Sequence, residues 1–218
     1  MASYAFSKHI DQYGGSRFDS PLPFEPKGYS RGRSSLDRTH ILTVNSVYEL
    51  PFGRGRKFLN YTHPAANAFL GGWQLSGIYR FVSGAPLSFY VPGATLGNGY
   101  GTRPNLKGTL QLAHPSADLW FNPGALDAPP LYTFGNSGKG ILDGPGSHFL
   151  DLGLMKNFYL TENRYLQFRW ELFNVPNHVN LCASTNNCPN TTIGLPTTGK
   201  IFTAGDARAM QLALKFIF

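Results

Sequence analysis

The sequence predicts an all-β fold: an antiparallel transmembrane β-barrel segment of about six strands, an incomplete barrel with long extracellular loops. Three observations carry that prediction. Stretches of about ten residues alternate bulky apolar with polar side chains. The chain is rich in aromatics and poor in charge. The connections between stretches are long on one side and shorter on the other. Of 218 residues 14% are charged and 14% aromatic, against roughly 25% charged in an ordinary soluble domain. Gly (25) and Pro (16) argue against long helices, and the aromatic content argues against disorder. The apolar runs are a few residues long, far short of the roughly 20 that a membrane-spanning helix needs. MASYAFSKHI has no positive n-region followed by an apolar h-region, so no secretory signal is expected.

The stretches are clearest at the C-terminal end. In RAMQLALKFIF, Met210, Leu212, Leu214, Phe216 and Phe218 are large and apolar, while Gln211, Ala213 and Lys215 are polar or small. Such alternation gives a strand two unlike faces. RYLQFRWELF sets Leu166, Phe168, Trp170 and Leu172 against Gln167, Arg169 and Glu171. HFLDLGLMKNF sets Leu150, Leu152 and Leu154 against Asp151 and Gly153. WQLSGIYRFVSG sets Trp73, Leu75, Tyr79 and Phe81 against Gln74, Ser76 and Arg80. RTHILTVNSVYEL is weaker, with Thr43 and Asn45 on one face. ASYAFSK alternates Tyr4 and Phe6 with Ser3 and Ser7.

The residues between Leu160 and Arg164 (Thr161, Glu162, Asn163) read as a tight hairpin turn. Pairing 160 with 164 sets Leu154 across from Trp170 and Leu152 across from Leu172, so turn and pattern agree on register. The connections 9–37, 92–146 and 174–206 are long and dense in Gly, Pro, Asn and Ser, and 51–71 is intermediate. Such loops count against a compact domain. A transmembrane barrel expects them.

A β-sandwich also alternates, so a secreted or surface β-sandwich carbohydrate-binding module is the alternative. Three features favour lipid. The apolar face is bulky, while its opposite holds Arg80, Asp151, Gln167, Arg169, Glu171, Gln211 and Lys215. A polar lumen accepts these charges, whereas Arg or Lys on a lipid face costs about 2–4 kcal/mol near the midplane. Tyr48, Phe52, Trp73, Phe158, Tyr159, Tyr165 and Phe218 crowd the ends facing the shorter connections, as an interfacial girdle does. Finally, the strands have the length of about 9–11 residues that a tilted crossing needs.

VYELPFGRGRKF (47–58), GGWQLSGIYRFVSGAPLSF (71–89), DLGLMKNFYLTENRYLQFRWELFNVPNHVN (151–180) and RAMQLALKFIF (208–218) resemble the C-terminal barrel portion of TonB-dependent outer-membrane receptors. They are most similar to the Oar-like group, which carries a carboxypeptidase-regulatory-like domain. The resemblance runs in the family's order over residues 1–218. It implies a Gram-negative outer membrane and energised uptake of an unknown extracellular substrate. It also implies partners: outer-membrane lipid, the barrel-assembly machinery that reads a terminal aromatic such as Phe218, the rest of the barrel and its plug, and TonB through the N-terminal part. Such transporters close with about 22 strands, or about 220 residues before any loop is counted. The 218 residues are therefore expected to be the last six strands, without plug, TonB box or signal peptide.

As the resemblance implies, the terminal strand runs from the outer surface toward the periplasm. Counting back gives down (208–218), up (164–173), down (148–158), up (73–90), down (38–50) and up (2–8). All three long loops then lie outside, and the connections 51–71 and 159–163 lie in the periplasm. Cys182 and Cys188 fall in an outside loop, where an oxidising exterior favours a local disulfide. A redox or metal pair is the alternative, and His178 is the nearest histidine. Arg80, Arg169, Glu171, Gln211 and Lys215 are expected to face the lumen.

No catalytic set emerges, and the chain is expected not to be an enzyme. Ser76-Gly77 and Ser83-Gly84 lack the strand–turn–helix context of a nucleophile elbow. Asp37, Glu49 and Glu171 read as isolated partners for arginine. The six histidines, at 9, 40, 63, 114, 148 and 178, are scattered, so neither metal nor cofactor is expected. GRGRK (53–57) lacks the lysine-serine/threonine of a phosphate loop and reads as a solvated turn beside anionic head groups. The net charge of +7 is dispersed, with no basic helix, so nucleic acid is not expected as a partner. In the loop 92–146, Tyr100, Trp120, Phe121, Tyr132 and Phe134 form either a binding platform for sugar or peptide or the packing of the loop upon itself.

Overall fold

The computed structural model describes the chain except residues 13–23, 54, 61–62, 94, 97–101, 162–163 and 183–187. Expected features at Arg54, Tyr100, Glu162 and Asn163 therefore lie outside the described residues. The alternating stretches form β1 (Ala2–Phe6), β2 (His40–Glu49), β3 (Trp73–Val82), β4 (Ser147–Tyr159), β5 (Tyr165–Phe173) and β6 (Ala209–Ile217). They make one antiparallel sheet in the order β1-β2-β3-β4-β5-β6. Each strand pairs with its neighbours in sequence, as a meander barrel wall requires.

The hairpin register is the one the pattern dictates. Leu154 pairs with Trp170 and Leu152 with Leu172. The turn is closed by the Leu160 and Thr161 amides donating to the Arg164 carbonyl at 2.9 and 3.1 Å. The barrel wall is open: among the described residues, β1 and β6 have no partner strand on their outer edges.

Two boundaries depart from the pattern. The strand expected over 73–90 stops at Val82, and Pro86–Leu87 pairs with Leu142–Asp143 instead. The cause lies at Gly84, where any Cβ would run into the Gly144 carbonyl. Backbone from the neighbouring loop occupies that space and turns the chain away from the sheet. Within 51–71, a short helix (α1, Pro64–Leu70) forms, with the His63 ring accepting from the Ala65 amide as N-cap. β5 ends at Asn174, which takes a left-handed φ of 51°. Asn has a local hydrogen-bonding reason to accept that conformation. Its amide nitrogen donates to the His178 and Asp206 carbonyls, and its oxygen accepts from the His178 amide.

The hydrophobic core is not in the sheet. Leu87, Phe89, Val91, Leu110, Phe121, Ala125, Leu126 and Ile193 cluster within the long connections, with Trp120 and Leu142 packed against them. Phe121 has no exposed surface, and its ring meets Phe89 edge-on at 4.8 Å. The loops at one end thus fold into a compact cap.

Candidate functional site

Register sorts the sheet into two faces. On one face the cross-strand rows are Tyr4–Leu42–Phe81–His148, Val44–Tyr79–Leu150 and Tyr48–Leu75–Leu154–Trp170, with Leu152 opposite Leu172. The first and second rows run across neighbouring strands, and β6 continues the face with Met210, Leu212, Leu214 and Phe216. Along β6 this face stands uncovered among the described residues. Met210, Leu212 and Leu214 are 64%, 68% and 65% exposed. No second sheet faces these leucines among the described residues, so the sandwich alternative is not favoured.

The opposite face carries the polar set. Arg80 lies between Thr43 and Phe149, Arg169 between Met155 and Ala213, Glu171 beside Gln211, and Lys215 beside Gln167. Arg169 Nε donates to Gln167 Oε1 at 2.7 Å, and Gln167 Nε2 donates to Asn157 Oδ1 at 2.9 Å. Gln211 Nε2 donates to the Glu171 carboxylate. Arg80, Arg169, Glu171, Gln211 and Lys215 therefore share one side of the wall. Phe218 ends the chain beyond β6, 90% exposed, with its ring 6.0 Å from Phe216.

At the cap end the three long connections hold one another. Tyr90 accepts from the Ile193 amide at 2.9 Å, and the Ile201 amide donates to the Ala117 carbonyl at 2.7 Å, joining the second and third loops. In the first loop, Ile10–Asp11 pairs with Gly32–Arg33. Three ion pairs fasten this hairpin: Lys139 to Asp11 at 2.6 Å, Arg33 to Asp143 at 2.8 Å and Arg33 to Asp37 at 3.1 Å. Asp37 is buried and also accepts from the His9 amide at 2.8 Å. Cys182 and Cys188 form a disulfide, Cα atoms 5.4 Å apart, in the third loop. The nearby His178 ring lies against His148 at 5.5 Å. No cluster of three metal-ligating side chains occurs among the described residues.

Of the loop aromatics, Phe121 and Trp120 belong to the cap core. Phe134 meets Tyr29 at 4.8 Å, with the Arg103 guanidinium 3.7 Å over the Tyr29 ring. These side chains pack the loops together. Tyr132 alone of the described set stands out, 75% exposed. A groove of ≈ 330 Å³ on the cap is lined by Gln111, Leu112, Trp120, Ile141 and Asp143. The Trp120 indole N–H is spent within the cap, donating to the Asp143 carbonyl at 3.0 Å.

A bare apolar face, a polar face and a capped end describe a wall between lipid and a watery lumen. A family model described as Outer membrane beta barrel domain matches residues 1–211. The chain belongs to this family. It is therefore an outer-membrane β-barrel chain; such barrels have short periplasmic turns and longer extracellular loops. No curated protein and no solved structure matched. Within this outer-membrane barrel, the isolated carboxylates of the sequence have partners: Asp37 pairs with Arg33, and Glu49 with Arg56 at 2.6 Å. Glu171 finds an amide rather than an arginine.

The sequence reading gave Lys156 no role. It stands on the apolar face of β4, between Trp73 and Phe168. It is nevertheless 2% exposed, with Nζ donating to the Gly71 carbonyl. The break in alternation at 156 is the signal that finds it.

The cap has a pH dependence. Burial by itself would raise the Asp11 carboxyl, but hydrogen bonds from Lys139 and Ser34 and the Lys139 charge outweigh it and hold the carboxyl below its ordinary value. A depressed carboxyl stabilises the fold above its unfolded pKa, about 3.9, and that contribution is lost as pH falls through the lower folded value. Acidification below about pH 4 should loosen the first loop while the sheet persists. Protease cleavage within 24–37 after acid exposure, compared with intact heat-modifiable migration, reads this directly. In Lys139→Met the dependence on Asp11 should vanish.

Proposed function

We propose that the chain is the C-terminal barrel wall and loop cap of a TonB-dependent, Oar-like receptor that takes up an extracellular nutrient and performs no catalysis. The observation that carries the reading is the division of labour in one chain: a membrane wall at one end of each strand and a folded, aromatic-rich cap at the other. A simple open pore has no use for a cap with its own core. A receptor does, because capture needs a shaped outer surface that holds its form beside a mobile lumen.

In this reading the cap meets substrate, and Arg80, Arg169, Glu171, Gln211 and Lys215 line the path below it. Charged and amide side chains on the lumenal wall give a plug surface to bind and release. The unpaired edges of β1 and β6 are costly in a bilayer, where every backbone polar group needs a partner. Further strands of the receptor complete the barrel, the plug fills it, and TonB supplies energy through that plug. Phe218 presents the terminal aromatic to the assembly machinery.

The test joins a reading of coding sequence to a cross-link. The expected result is a frame continuous with Met1 that encodes a plug and TonB box, whose product cross-links to TonB during uptake. A product that reaches the outer membrane as a sealed barrel, without plug or TonB contact, would overturn the reading.

A further inference from the structure

We infer that the connection between β2 and β3 is a membrane foot: α1 lies on the barrel's outer side at the periplasmic margin and seats Phe69 and Leu70 among phospholipid acyl chains. The inference rests on the outer-membrane placement of the sheet and is independent of TonB coupling. Its starting point is direction. Trp73 and Lys156 both project from the lipid-facing side of the sheet, opposite one another in register. Trp73 Nε1 donates to the Phe69 carbonyl at 2.8 Å, and Lys156 Nζ donates to the Gly71 carbonyl. Both carbonyls belong to the C-terminal end of α1 and its cap. The helix end is therefore held against the lipid side of the wall, not beneath the lumen.

The composition of the segment fits that position. Along PAANAFL, Ala65, Ala68 and Phe69 share the spacing of one helical face and are exposed, Phe69 at 71%. Asn67 turns inward, with its Oδ1 against Gly53 and Gly71. Leu70 and Phe58 add exposed apolar surface, and the Lys57 ammonium stands 5.5 Å over the Phe58 ring. An apolar helix face beside a cation fits an interfacial segment. In water this face would be an exposed liability. Here it is continuous with the lipid-facing leucines and aromatics of the sheet, so the same phospholipid layer covers both.

The foot also accounts for Lys156. An uncovered lysine on a lipid face costs about 2–4 kcal/mol at the midplane and about 0–1 near the interface. Lys156 lies three residues before the end of β4, close to the Trp73 and Phe158 rings at 5.3 and 5.0 Å. The ammonium reaches the α1 cap carbonyl, so its charge has an acceptor and its stem is shielded. Lys156 is thus a positioning residue that pins the helix to the wall.

The full chain with Phe69→Cys can be spin-labelled at that position alone, because Cys182 and Cys188 are joined. Leu212→Cys and Thr133→Cys give the lipid and water references. In vesicles of phosphatidylethanolamine and phosphatidylglycerol, the label at 69 should collide with oxygen rather than a water-soluble nickel chelate. Its oxygen-to-nickel ratio should match that at 212 and exceed that at 133 several-fold. A label at 69 that behaves like 133 while 212 reads lipid overturns the foot and leaves the barrel standing. If 212 also reads water, the facing of the sheet fails and the foot with it. Lys156→Met should make the label at 69 several-fold more mobile, and an unchanged spectrum would refute the pinning role.

Discussion

Leu212→Arg or Leu214→Arg should abolish integration into the outer membrane, whereas Gln211→Arg should be tolerated. Leu212 stands opposite Trp170 and Leu214 opposite Phe168, on the face with no protein cover. Arginine there faces acyl chains at a cost of about 2–4 kcal/mol, or about 30-fold to 10³-fold in partition at 1.4 kcal/mol per decade. Gln211 is one residue away and lies opposite Glu171. An arginine at that position gains a carboxylate in the lumen. Fractionation of cell membranes with heat-modifiable gel migration separates the outcomes, and equal tolerance of all three changes would contradict the assigned facing.

Phe121→Ala should unfold the cap and spare the wall. Truncating a fully buried Phe costs about 3–5 kcal/mol, from lost transfer energy plus the cavity left behind. Phe121 sits at the centre of the cap core, and no residue of the six strands belongs to that cluster. The loss therefore falls on the loops alone. External protease should cut within 102–146 in the variant and not in the parent, with heat-modifiable migration unchanged. Tyr132→Ala, at an exposed site, should leave protease resistance as it was. Loss of the wall along with the cap would show that the two are one cooperative unit.

The wall was legible in the sequence because a strand in lipid has few ways to hide its period. Leu150, Leu152, Leu154 and Leu166 through Leu172 repeat every second residue over a length that spans the bilayer, and a tight turn fixes their register. The early end of β3 was not legible. WQLSGIYRFVSGAPLSF alternates past Val82, and only the approach of the Gly144 backbone to Gly84 decides where the strand leaves the sheet. Helix α1 was hidden for another reason: seven residues are too few to show a helical period. The ion pairs of the cap join residues as far apart as Asp11 and Lys139. Such partners are set by how loops fold together, and no local pattern announces them. Lys156 was visible as a lysine in an apolar row, but its acceptor at Gly71 lies 85 positions away.

A cysteine scan along β6 tests the central division of the wall most directly. Single cysteines at positions 209–217 in the membrane-embedded chain are exposed to a water-soluble maleimide. Labelling should alternate with a period of two: high at Gln211, Ala213 and Lys215, low at Met210, Leu212, Leu214 and Phe216. Uniform labelling, or strong labelling at the leucines with protection of Gln211 and Lys215, would contradict the account.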